Sequence, residues 1–115
     1  MFLLRWTEEA ATEYARLKAK AAAALGARRQ KARAKSSRDE GLFKQVHKCV
    51  SLLAENPRHP GLQTHEYHSL AHPFSPQEKV FEAYVQNRTS GAYRVFWCYG
   101  PEAGQITVVA ITQHP

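Results

Sequence analysis

The sequence predicts an α+β domain in which two N-terminal helices pack on one face of a small, mainly antiparallel four-stranded sheet. Three observations carry this. Apolar residues recur at spacings of three and four through the first half, as on one face of a helix, and at spacings of two from Lys79 onward, as in strands. A third is size: 115 residues give room for one core, so residues 1–115 read as a single domain.

Phe2, Leu4 and Trp6 alternate with Leu3 and Arg5, the pattern of a short first strand. Thr7 followed by Glu8 and Glu9 is a helix start, with acidic side chains near the positive end of the helix dipole. Ala10, Tyr14, Leu17, Ala21, Ala24 and Leu25 form the apolar stripe of one long helix, which ends at Gly26 or continues through the basic segment beyond it. Ser37 and Glu40 have capping-box spacing for a second helix. Its stripe is Leu42, Val46, Cys49, Val50 and Leu53, and Asn56-Pro57 stops it. Residues 57–78 hold four prolines and four histidines and read mostly as loop, with room for a short strand near Thr64–Ser69. Val80–Val85 and Ala92–Tyr99 then read as a hairpin around Gln86–Gly91. Gln105–Thr112, β-branched and apolar on both faces, reads as an interior strand.

Composition narrows the functional classes. The longest apolar runs, such as Ala21–Leu25, fall far short of the ~20 residues of a membrane span. The apolar start at Met1 is too short for a signal peptide. Two distant cysteines, Cys49 and Cys98, suit neither a disulfide framework nor a cysteine metal site, and the expected location is the reducing cytoplasm. Residues 1–57 hold 12 of the 16 basic and 6 of the 10 acidic side chains, so they carry the whole net charge of +6. Arg28, Arg29, Lys31, Arg33, Lys35 and Arg38 place six positive charges within eleven residues, a candidate RNA-phosphate contact or a solvated helix end. His59, His65, His68 and His72 are better read as a solvated proline-rich loop than as a metal site, because His65-Glu-Tyr-His68 is one residue short of the helical HExxH arrangement. No metal or cofactor is expected.

Three sequence features carry a family resemblance: Glu55-Asn-Pro-Arg58 at the end of the second helix, Pro60-Gly-Leu62 after it, and Ser90-Gly-Ala-Tyr-Arg-Val-Phe-Trp97 leading to Ile106-Thr-Val-Val-Ala-Ile-Thr112. In this order they resemble the RelE/ParE superfamily of toxins from bacterial toxin–antitoxin pairs. The resemblance implies an antitoxin protein as partner. It further implies either metal-independent mRNA cleavage on the ribosome, as in RelE-like members, or action on DNA gyrase, as in ParE-like members. It places Arg94 at the position that contacts the scissile phosphate, and His114 at a histidine that some relatives carry. Glu82 and Tyr84 stand where the most studied ribonucleases of the family have lysines. The chain also ends at His114-Pro115, about where many relatives continue through a basic tail.

Metal-free RNA cleavage needs a base for the 2′-hydroxyl, positive charge on the phosphate and an acid for the leaving oxygen. Strand alternation sets Glu82 and Tyr84 on the face opposite Phe81, Ala83 and Val85, hence away from the helices. Arg94 is the phosphate candidate, Glu82 or His65 the base, His114 the acid, and Tyr84 a group to orient the ribose or stack on a base. The competing structural readings are a cross-strand Arg94–Glu82 pair and core aromatics, Trp97 first among them. Two functional alternatives stand beside the nuclease. One is a non-catalytic member acting by protein binding, as a gyrase inhibitor or an inactive antitoxin-bound relative; the missing lysines favour it. The other is a basic RNA-binding module.

Overall fold

The structure is a computed structural model that describes residues 1–31, 37–86 and 91–113. In chain order the elements are β1 (Leu3–Trp6), α1 (Glu8–Gln30), α2 (Arg38–Glu55), a 3-10 turn (Pro60–Leu62), β2 (His65–Tyr67), β3 (Val80–Tyr84), β4 (Tyr93–Tyr99) and β5 (Gln105–Gln113). The sheet runs β1-β5-β4-β3-β2, with β1 parallel to β5 and every other pair antiparallel. It therefore has five strands rather than four. The added strand, β2, is three residues long, lies within the short strand expected near Thr64–Ser69, and pairs with β3 at the sheet edge.

Thr7 caps α1, its hydroxyl accepting from the Ala10 N–H and donating to the Val109 carbonyl, so that one side chain starts the helix and ties it to β5. Gly26 does not end α1, which runs on to Gln30. Two residues past the glycine, Arg28 reaches across to Glu40 on α2 at 2.9 Å, so the helix is held by a tertiary contact where its propensity is weakest. The Ser37–Glu40 capping box is present in full, with the Ser37 N–H donating to Glu40 at 2.8 Å and the Glu40 N–H to Ser37 Oγ at 3.2 Å. Arg28, with help from the Ser37 N–H, holds the Glu40 carboxyl down at about 2. Because that value lies below the ordinary ~4.3 of an unfolded glutamate, the stabilisation is fully present above pH ~4 and is lost as pH falls toward 2. Glu40→Gln is expected to flatten the acid limb of the stability curve between pH 5 and pH 2, as urea titrations would show.

Ala10 and Leu17 of α1 and Val46, Cys49, Val50 and Leu53 of α2 are buried against Ala83, Val95, Trp97, Ile106, Val108 and Ile111 on the inner face of the sheet. Tyr14 bridges Trp6 and Phe43, ring centroids 4.9 and 5.3 Å away. Between β4 and β5 a bulge matches Phe96 to Ala110 and Trp97 to Val108, leaving Val109 unopposed.

The outer face is not open along its whole length. Val80, Phe96, Cys98 and Ala110 form a second, smaller core there with Tyr67, Leu70 and Val109. His72 fixes the segment that follows β2. Its Nδ1 accepts from the Phe74 and Ser75 N–H groups, at 3.2 and 3.0 Å, leaving Nε2 to donate to the Tyr99 carbonyl at 3.2 Å. Burial of Cys98 in this second core raises its thiol to about 11, and burial of Cys49 in the first raises its thiol to about 12. No helix of the described residues is long and apolar enough to cross a membrane.

Candidate active site

Antiparallel register sets His65 of β2 opposite Glu82 of β3, and Tyr84 of β3 opposite Arg94 of β4. Period-two alternation then turns all four side chains to the outer face, since their neighbours Phe81, Ala83, Val95 and Trp97 pack toward the helices. Four residues spread over positions 65 to 94 thus converge at the end of the outer face that the second core leaves free. His65 Nε2 lies 2.6 Å from Glu82 Oε1, and Arg94 Nε lies 3.9 Å from Glu82 Oε2. The Tyr84 ring covers the Arg94 guanidinium, with Cζ 3.9 Å from the ring centroid, and meets the His65 ring edge-on at 5.7 Å.

The group is half closed. Glu82 and Arg94 are 1% and 3% exposed, whereas about half of the His65 side chain reaches solvent. Arg94 Nη1 donates inward to two backbone carbonyls, Tyr93 at 3.0 Å and Gln86 at 3.2 Å. The guanidinium sits on the outer face as alternation requires, but a phosphate meets it only after the Tyr84 ring turns aside. Glu82 and Arg94 are diagonal neighbours, so the cross-strand pairing exists as a 3.9 Å ion pair rather than a direct register pair. Each charge also has other partners, Glu82 in His65 and Arg94 in the two carbonyls, which matters because an unpartnered buried charge costs several kcal/mol. His65 Nδ1 faces the Gln63 carbonyl at 3.2 Å. Both its ring nitrogens therefore face oxygen acceptors, and the carboxylate fixes the ring orientation.

Gln86 and Gln63 are parts of this site that periodicity does not reveal. The Gln86 side chain accepts from the Tyr93 N–H at 2.9 Å and donates to Gln45 of α2, which holds the strand end whose carbonyl receives Arg94. Gln63 adopts a left-handed backbone, φ 49°, which aims its carbonyl at His65. The only sequence hint is that each lies next to a chain reversal.

The remaining candidates disperse. Arg28 is engaged with Glu40 and buttresses the helix pair, so it does not belong to a free phosphate-binding run. Arg29, Lys31 and Arg38 are exposed. Arg33, Lys35 and His114 lie outside the described residues. His59 caps the 3-10 turn by accepting from the Gly61 N–H at 2.9 Å, and His68 lies near Glu66. Among the described residues no three His, Cys, Asp or Glu side chains converge as metal ligands.

Compared with solved structures, the chain is similar to a YoeB/ParE toxin from Agrobacterium tumefaciens, with a TM-score of 0.61 over 97% of this chain and 98% of that one, at 8% identity. The chain shares that toxin's fold. No family model and no curated protein matches its sequence.

Proposed function

We propose that residues 1–115 form a RelE-like toxin domain that cleaves RNA at the ribosome in the cytoplasm and is neutralised by an antitoxin protein. The observation that carries this reading is the convergence of His65, Glu82, Tyr84 and Arg94 on the outer face. Buried ionised groups are costly in a scaffold, and they gather where chemistry needs them oriented. In this reading the 2′-oxygen attacks phosphorus and the P–O5′ bond breaks, leaving a 2′,3′-cyclic phosphate and a 5′-hydroxyl. Arg94 balances charge on the phosphoryl oxygens once Tyr84 moves off it. Glu82 or His65 receives the 2′-hydroxyl proton, and His114 supplies the proton to the leaving oxygen. Arg29, Lys31, Arg33, Lys35 and Arg38 hold rRNA phosphates.

One observation favours a second reading, a non-catalytic member that acts by binding a protein such as gyrase: the hydrogen bonds of Arg94 run inward to carbonyls. Inducing the chain alone and mapping transcript ends separates the two. Cleaved mRNA with cyclic-phosphate ends, formed equally in EDTA, is the expected result. Growth arrest with intact transcripts and damaged DNA would replace the first reading by the second. His65→Ala is expected to slow cleavage by about 10²–10⁴-fold, the usual contribution of a positioned acid–base group.

A further inference from the structure

At the end of α2 the segment Pro57–Thr64 folds over the inner face of the sheet and leaves a cavity of about 490 Å³ against Phe81, Trp97 and Tyr99. That volume is within the range of small-ligand sites. Its wall is a continuous aromatic surface: Phe81 stacks on Trp97 at 4.8 Å, and Tyr99 meets Trp97 at 5.0 Å and Phe81 at 6.0 Å. Tyr99 remains 43% exposed, so its ring is open to a stacking partner. Arg58, exposed, stands at the rim.

The polar atoms single this cavity out. Among the described residues four buried side-chain polar atoms lack a hydrogen-bond partner, and two of the four, Trp97 Nε1 and Thr64 Oγ1, belong to residues lining it. Trp97 is only 1% exposed. An indole N–H is a donor only, and leaving it unpaired in a core is costly. The aromatic wall suits a flat ring, and the guanidinium at the rim suits an anion attached to that ring. A nucleotide meets both requirements, through base–aromatic stacking and a phosphate contact.

We propose that the cavity between the Pro57–Thr64 segment and Phe81, Trp97 and Tyr99 is a purine-nucleotide site, taking the nucleotide free or as one unit of a single strand. The base stacks on Tyr99 and its phosphate meets Arg58, while the unpartnered Trp97 Nε1 and Thr64 Oγ1 lie buried in the wall behind it. The site is on the opposite face of the sheet from the His65–Arg94 group, and binding is measured without cleavage. Failure here leaves the nuclease reading intact, and failure of that reading leaves this one.

The test is fluorescence titration of the full chain in a Trp6→Phe background, so that Trp97 reports alone. AMP is expected to quench saturably, and ribose 5-phosphate is not. Tyr99→Leu is expected to weaken AMP binding about tenfold or more. Arg58→Gln is expected to weaken AMP but to leave adenosine unchanged. Both substituted side chains are exposed, and circular dichroism confirms that the variants fold. Equal affinity for AMP and ApApA identifies a free nucleotide, whereas tighter ApApA binding that falls with salt identifies a strand. The proposal is overturned if AMP fails to saturate at millimolar concentration, or if both variants bind it like the parent. Tighter binding of an acidic, phenylalanine-containing peptide than of either nucleotide would also overturn it and make the cavity a protein-docking site.

Discussion

Arg94→Met is expected to destabilise the fold by about 1–3 kcal/mol, because it removes the cation 3.9 Å from the Glu82 carboxylate, which is 1% exposed and keeps His65 at 2.6 Å. Methionine fills much of the same space under Tyr84, so the loss reports charge rather than volume. The double variant Glu82→Gln with Arg94→Met is expected to recover a large part of that loss, since neither buried charge then remains. Urea titrations of the single and double variants supply the cycle, and additive losses would mean that the two side chains do not act on each other. The same variants divide the functional readings. Under the nuclease reading the double variant folds and cuts no RNA, whereas under the protein-binding reading it folds and still arrests growth.

Phe96→Ala is expected to cost about 3–5 kcal/mol, the usual range for emptying a fully buried phenylalanine site. Phe96 is 1% exposed, and the Tyr67 ring lies 4.7 Å from it. It is the largest fully buried member of the outer core, to which Leu70 of the segment after β2 also belongs, so its removal loosens that segment ahead of the helix-side core. Limited proteolysis of the variant should cut first between residues 68 and 78. A loss under about 1 kcal/mol would mean that this segment contributes little to the fold.

Much of the helical half was legible because its signals are local. The Ser37–Glu40 box, the stop at Asn56–Pro57 and the two apolar stripes each lie within a few turns of one helix. The alternation through β3 likewise placed Glu82 and Tyr84 away from the helices, and Trp97 with 1% exposure is the core residue its aromatic character suggested. What escaped was contact between distant positions. The pattern allowed a short strand near β2 but not its place at the sheet edge, and it left open whether α1 passes Gly26, beyond which Arg28 meets Glu40 across the helix pair.

The candidate site divides the same way. Sequence named Arg94, Glu82, Tyr84 and His65 as chemically suited groups, and pattern alone assigned the β3 side chains a face. It gave no sign that the Tyr84 ring lies over Arg94, that carbonyls of Gln86 and Tyr93 take the guanidinium, or that Gln63 turns left-handed beside His65. By itself, then, the sequence determined the order and type of the main elements and the concentration of net positive charge in the first half, since periodicity, caps and composition act over one to four residues. Only the tertiary structure decided which charges are buried, which rings meet and where unpaired donors remain. Those outcomes depend on register and burial between segments far apart in the chain, and no local preference encodes them.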